Sequence, residues 1–138
     1  ILRMSKNLHP DFISSILALA RTVRKASVAQ GIGMGQLCVL EIVSKNPGCS
    51  MTDIASALSI GASTATTVVL PLVRTGLLSR IHDGNNRRRV LLQLTPKGKR
   101  TLLAILKGRD VKLKKSFEHF PKQFQLQLIR LSYSLHSE

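Results

Sequence analysis

Residues Arg80 to Thr95 read Arg-Ile-His-Asp-Gly-Asn-Asn-Arg-Arg-Arg-Val-Leu-Leu-Gln-Leu-Thr. Val90, Leu92 and Leu94 alternate with Arg89, Leu91 and Gln93, the period of a strand with one face on a core. Asp83-Gly84-Asn85-Asn86 supplies residues that tolerate positive φ, and a shorter arm, Leu78 to His82, leads in. The stretch therefore predicts a β-hairpin with three consecutive arginines at its tip. Packed guanidinium groups repel one another, and that repulsion is relieved by water or by a polyanion. Taken alone, the tip reads either as a solvated turn or as an anion-binding arm.

The rest of the chain favours the second reading. There are 21 Lys+Arg against 7 Asp+Glu among 138 residues, a formal net charge of +14, while 43% hydrophobic content suffices for a core. Such a field points to a polyanionic partner, nucleic acid before anionic membrane, and argues against a small-substrate enzyme. His9, His82, His119 and His136 are scattered among few acids, and no serine or cysteine stands in a nucleophile motif, so no enzyme activity is expected. Cys38 and Cys49 match no zinc spacing, and no metal or cofactor is expected. They read as reduced thiols used for packing.

Two stretches imitate targeting signals. Phe12 to Ala20 follows Arg3 and Lys6 and ends in Ala18-Leu19-Ala20, but Ser14 and Ser15 interrupt it and its periodicity continues beyond the apparent cleavage point. Ile54 to Val73 is charge-free over the length of a membrane span, yet six of its residues are Ser or Thr, with Gly61 and Pro71 besides, which suits a helix pair better than lipid. The expected location is cytoplasmic, at the nucleoid, without membrane association. The chain begins at Ile1, so Met4 is a candidate start.

Helices account for the remainder. From Pro10, placed at a first helical position, Phe12, Ile16, Leu19, Val23 and Ala26 recur at spacings of four and three, a heptad seam that continues toward Gly31 and Gly33 and implies a partner helix. A short helix from Gly35 to Ser44 turns Leu37, Leu40 and Val43 inward and stops at Lys45-Asn46-Pro47-Gly48. Ser50 and Asp53 form a capping box for a third helix with Ile54, Ala55 and Leu58 inward. A turn at Ser59-Ile60-Gly61 leads to a fourth, about Ala62 to Thr75, with Ala65, Val68, Val69 and Leu72 on one face and Ser63, Thr64, Thr66 and Thr67 on the other. Pro71 is expected to kink this helix or end it early, and Gly76 to cap it. Thr95-Pro96 opens a basic fifth helix to about Phe117 with Leu102, Leu103, Leu106, Leu113 and Phe117 buried. Phe120-Pro121 begins a last one, in which Phe124, Leu128, Leu131 and Leu135 form a second seam.

Helix, short turn, helix and cationic hairpin, in this order, make a winged helix-turn-helix: a mainly α fold with a small β-hairpin wing and dimerisation helices at both ends. One helix N-terminus can enter a major groove while the arm reaches a neighbouring minor groove. The sequence resembles the MarR family of transcription regulators from Pro10 onward. The resemblance rests on Gln36-Leu37-Cys38-Val39-Leu40, Thr52-Asp53-Ile54-Ala55 with Leu58, Ser63-Thr64-Ala65-Thr66 with Leu72, and Gly76-Leu77-Leu78-Ser79-Arg80. It rests most specifically on the wing Asp83-Gly84-Asn85-Asn86-Arg87-Arg88, followed by Leu94-Thr95-Pro96-Lys97-Gly98. It implies one MarR-like domain over 1–138, with a winged-helix DNA-binding lobe at 35–96 and dimerisation helices at 10–30 and 100–138. It also implies a homodimer reading a pseudo-palindromic operator in double-stranded DNA, and a repressor released by a small-molecule effector or an oxidant. This chain departs from the family pattern at Asn86, where an aspartate is usual, and at Thr67, Leu70 and Pro71, where basic residues are common. No cysteine precedes Cys38, so the family's oxidant switch is unsupported.

The expected DNA-binding residues are Ser63, Thr64, Thr66, Thr67, Asn86, Arg87 and Arg88, with Arg88 in the minor groove and Arg87 on phosphate or sugar. Arg87 could instead be held by Asp83, and Ser63 and Thr64 could cap or back-bond their helix. Asp53 is read as a cap. Dimerisation is assigned to Phe12, Ile16, Leu19 and Val23 with Phe124, Leu128, Leu131 and Leu135. The competing reading is a basic protein that binds nucleic acid without sequence preference, and a further one is an anionic membrane-surface protein, which the seams disfavour.

Overall fold

The computed structural model describes residues 8–135. Arg3, Met4, Lys6 and His136 lie outside them. The elements run α1 (Phe12–Ser27), α2 (Met34–Lys45), β1 (Cys49–Ser50), α3 (Met51–Leu58), α4 (Ala62–Arg74), β2 (Leu78–His82), β3 (Val90–Leu94), α5 (Pro96–Phe117) and α6 (Lys122–Leu135). The three strands form one antiparallel sheet in the order β1-β3-β2. This is the mainly α winged-helix architecture expected from the sequence.

The core follows from the periodicities. Leu37, Leu40 and Val43 of α2, Ile54 of α3, Val69 and Leu72 of α4, Leu78 and Leu92 of the hairpin and Ile105 of α5 are all fully buried. The charge-free run from Ile54 to Val73 is divided between α3 and α4, which are bent by 112°. No single helix among the described residues is long and apolar enough to cross a membrane.

Several local expectations need correction. Pro10 sits in the turn before α1, whose N-cap is Asp11, and α1 ends at Ser27, short of the glycines. Gln30 and Gly31, at φ +55° and +73°, then form a tight left-handed turn bridging Ala29 to Ile32. In α5 it is Ile105 that is buried beside Leu102, whereas Leu103 is 67% exposed. Cys49 is in β1, opposite Leu92, where burial pushes its thiol pKa up; Cys38 is half-buried with its pKa raised chiefly for the same reason.

Pro71 neither ends nor shortens α4. The helix continues through it to Arg74 and closes with two C-terminal bonds, Gly76 N–H to Val73 O (3.1 Å) and Leu77 N–H to Leu72 O (2.9 Å), with Gly76 at φ +75°. Thr75 Oγ1 also donates to Pro71 O at 2.9 Å. Only the helical bond to the Thr67 carbonyl is forfeited, because proline has no N–H. The same closure ends α3, but there the left-handed position is Ser59 (φ +53°) rather than a glycine, with Ile60 N–H on Ala55 O at 3.0 Å.

The two seams differ. On α1, Phe12 and Ile16 are exposed, Leu19 and Val23 half-buried and Ala26 buried, so the C-terminal half of the seam is covered by this chain's own helices. On α6, Phe124, Leu128, Leu131 and Leu135 are all exposed, and the helix buries no residue. Leu19, Val23, Leu113, Phe117, Leu128 and Ile129 line an apolar groove of about 580 Å³ between α1, α5 and α6. Phe120 stacks edge-on with Phe117 (5.1 Å) and Phe124 (5.4 Å) at the corner where Pro121 starts α6.

Candidate nucleic-acid interface

The α3–α4 bend is the angle of a helix-turn-helix. The capping box fixes its first helix: Asp53 N–H donates to Ser50 Oγ (3.2 Å), and Ser50 N–H donates to Asp53 Oδ2 (2.8 Å). The Ser50 backbone N–H first, then the Ser50 hydroxyl, and after them the nearby Arg89 guanidinium hold the Asp53 carboxyl below its ordinary pKa.

Ser63, Thr64, Thr66 and Thr67 are all exposed, on the face of α4 opposite Ala65 and Val69. Back-bonding falls on the threonines, not on Ser63 and Thr64: Thr66 Oγ1 donates to Ala62 O (3.0 Å) and Thr67 Oγ1 to Ser63 O (3.1 Å). A threonine whose proton is committed to its own helix can only accept, and its methyl can touch an apolar group. Thr66 and Thr67 in these rotamers suit exocyclic amines or thymine methyls, while Ser63 and Thr64 keep a proton for phosphate oxygens.

The wing is closed by side chains instead of positive φ. No residue from Asp83 to Asn86 is left-handed. Asp83 Oδ1 accepts from Asn85 N–H (3.0 Å) and its carbonyl from Asn86 N–H (3.2 Å). Asn86 repeats the device, its Oδ1 accepting from Arg88 N–H (3.1 Å) and its carbonyl from Arg89 N–H (2.9 Å). Asp83 N–H then returns to Arg89 O at 3.1 Å. Asn86 thus holds the backbone at Arg88, leaving the guanidinium to solvent. Arg87 and Arg88 are exposed and form no ion pair among the described residues, so Asp83 does not tie up Arg87.

Arg89 behaves differently. Its Nη2 stands 3.9 Å from Asp53 Oδ2, across a cleft of about 510 Å³ lined by Ser50 of β1, by Met51–Asp53 of α3 and by Asn86 and Arg88–Val90 of the wing. This pair had no local signal in the sequence, since it depends on β1 pairing with β3 (Ser50 opposite Leu91). On α5, Arg109 is partly screened by Glu41 (3.6 Å) and Asp110 (3.2 Å), while Lys107, Lys112, Lys114 and Lys115 are exposed. No group of three or more potential metal-ligating side chains occurs among the described residues.

The fold recurs in known proteins. A family model described as the MarR family matches residues 32–90, from the α1–α2 turn to the first residue of β3. The chain is 32% identical over 72 residues to the HTH-type transcriptional regulator BilQ of Clostridium symbiosum, covering 52% of this chain and 50% of that protein. It is 23% identical over 138 residues to the HTH-type transcriptional repressor MdtR of Bacillus subtilis, covering 97% of this chain and 89% of MdtR. The fold matches the PcaV transcriptional regulator of Streptomyces coelicolor, solved in complex with its natural ligand, with TM-score 0.73 at 22% identity over 99% of this chain and 98% of that one. The chain thus spans about half the length of BilQ but nearly all of MdtR and PcaV.

Proposed function

Because this chain belongs to the MarR family, we propose that it is a homodimeric, sequence-specific DNA-binding transcriptional repressor. In this reading the N-terminal half of α4 enters the major groove and Arg88 enters the adjacent minor groove, with Arg87 on the backbone. The carrying observation is the combination of unpaired Arg87 and Arg88 on a hydrogen-bonded wing with an exposed hydroxyl face on α4 in the same winged unit. Dimerisation through Phe12, Ile16, Leu19 and Val23 with Phe124, Leu128, Leu131 and Leu135 is supported by the exposure of α6 and of the start of α1. A dimer places two winged units on a pseudo-palindromic operator. The ligand-bound state of PcaV supports release by a small-molecule effector, whose chemical class no residue here specifies.

The test is titration of a duplex selected from a random pool, at several salt concentrations, with the parent and with Arg88→Ala. Loss of Arg88 is expected to weaken binding by about tenfold or more per dimer and to lower the slope of log K against log[salt] by about 2, one charge per protomer. Equal affinity of the variant would refute the wing assignment.

A second reading, binding without sequence preference, is favoured by one observation: the reading face of α4 offers only hydroxyls, two of them with their protons committed. It predicts equal affinity for selected and random duplexes and no protected footprint.

A further inference from the structure

The three successive arginines of the wing are not equivalent. Arg87 and Arg88 are exposed and without acidic partners among the described residues, whereas Arg89 lies at the root of the wing. Both backbone groups of Arg89 are consumed in closing the turn, its N–H by Asn86 and its carbonyl by Asp83. Beside it runs β1, paired through Ser50 and Leu91, and the chain leaves that strand at Met51 to begin α3. Asp53 therefore comes to face Arg89, and its Oδ2, which already accepts from Ser50 N–H, stands 3.9 Å from the guanidinium.

The geometry points to Arg89 as a positioning residue: through Asp53 it ties the root of the wing to the cap of α3, so that Arg87 and Arg88 are held toward DNA, and it does not itself contact DNA. Beyond this root the arm is held by β2–β3 pairing and by the side-chain and main-chain bonds of Asp83 and Asn86 that close the turn. A restraint at Arg89 fixes the lever on which Arg88 is carried. Its removal also leaves Asp53 as an uncompensated negative charge beside the minor-groove arm, which opposes DNA. The pair is half exposed and individually weak, so its effect is on the position of the arm and not on the stability of the fold.

This inference rests on the DNA-binding reading, and two measurements on the full chain separate the two. The first is affinity for the selected duplex across a salt series. Arg88→Ala lowers the salt slope; Arg89→Gln weakens binding several-fold with the slope nearly that of the parent, and Arg89→Lys restores most of the affinity. Asp53→Asn combined with Arg89→Gln is no weaker than Arg89→Gln alone, because both remove one tie. A slope that falls in Arg89→Gln as far as in Arg88→Ala makes Arg89 a DNA contact and overturns the proposal, as does parental affinity in Arg89→Gln. The second measurement needs no DNA. Amide exchange at Asp83 and Arg89, whose N–H groups close the wing, accelerates several-fold in Arg89→Gln and in Asp53→Asn but not in Arg88→Ala. Unchanged protection overturns the proposal whatever the DNA result. An Arg88→Ala variant that binds as the parent does, with faster exchange in Arg89→Gln, sinks the DNA reading of the wing while leaving the tie in place.

Discussion

Gly98→Ala is a test of how α4 is fixed to α5. A Cβ built on Gly98 would lie 2.0 Å from the carbonyl oxygen of Leu77, 2.9 Å from its carbon and 3.2 Å from Leu94 Cδ2. The carbonyl cannot yield easily. It accepts from Thr95 N–H at 3.1 Å, and the Leu77 N–H is held by Leu72 O at 2.9 Å in the closure of α4. Two neighbouring bonds cross the same junction, from Thr95 Oγ1 to Gly76 O (2.5 Å) and from Lys97 Nζ to Thr75 O (2.9 Å). Reaching ordinary van der Waals separation requires the junction to open by roughly 1.5 Å. Overpacking of this kind costs about 1–3 kcal/mol, and each hydrogen bond given up adds about 1 kcal/mol. Against this, alanine improves helix propensity by at most about 1 kcal/mol. The net expectation is a loss of about 2–4 kcal/mol. Gly108→Ala supplies the control, since it is in the middle of the same helix and its Cβ would meet nothing within 4 Å. It should gain about 0.5–1 kcal/mol. Thermal unfolding followed by circular dichroism, at one fixed protomer concentration because the stability of the proposed dimer would depend on it, should show Tm lowered by about 6–15 °C for the first and raised by about 2–4 °C for the second. A Gly98→Ala variant as stable as the parent would refute the rigid junction.

Other consequences can be checked directly. Ile16→Glu or Leu128→Glu places a charge on a face that the dimer would bury, and sedimentation at micromolar concentration should then report a monomer where the parent is a dimer. Because the native pKa of Asp53 is depressed, the unfolded chain binds its proton more readily. The stability Asp53 contributes is therefore full above the ordinary carboxylate range and lost as pH falls through the native pKa; urea melts from about pH 6 down to about pH 3 should show a shallower decline in Asp53→Asn than in the parent. Raised thiol pKa values at Cys38 and Cys49 make both poor nucleophiles near neutrality, so an aromatic disulfide reagent should react with them far more slowly in the folded chain than after denaturation.

What was legible in the sequence was whatever depends on neighbours along the chain. The Ser50–Asp53 box, the Thr95–Pro96 start, the Gly76 cap and the alternation of Val90, Leu92 and Leu94 each need only a few adjacent residues, and each stands as read. The misreadings have a common origin in tertiary context. Pro71 carries the expectation of a kink or an early end to α4, and the early end does not occur: its position near the C-terminal end costs a single helical bond, and packing of Val69 and Leu72 carries the helix onward. Leu103 and Ile105 stand two residues apart, about 200° round a helix, so only one of them can face the core, and only the surroundings of α5 decide which stripe turns inward. The turn at Asp83 to Asn86 has the residues of a left-handed turn yet closes through their side chains, a choice that composition does not distinguish. The Asp53–Arg89 pair joins positions brought together by a two-residue strand, which is too short to leave any periodicity.

The two ends of α4 are held by different means, and under the proposed DNA-binding mode this decides where sequence discrimination can reside. Its C-terminal end is clamped to α5 by Thr95, Lys97 and the close approach of Gly98. Its N-terminal end begins at Gly61, which has no side chain to cap it, and carries the exposed hydroxyls. The missing bond at Pro71 lies between the clamped end and the reading end. A helix anchored far from its readers fixes their direction well and their position less well, which suits contacts tolerant of small displacement, such as hydroxyls on phosphate or methyl groups on thymine. Guanidinium groups on the wing, by contrast, are carried on a turn closed by paired side-chain and main-chain bonds. Affinity should therefore depend steeply on salt through the wing, while the ratio of specific to non-specific binding, set by α4, stays modest. A footprint on the selected duplex that is sharp at low salt and vanishes at moderate salt, with binding to random duplexes lost over nearly the same range, is the behaviour this division of labour requires; a large specificity ratio that persists as salt rises would place the discrimination in α4 contacts stronger than hydroxyls can make.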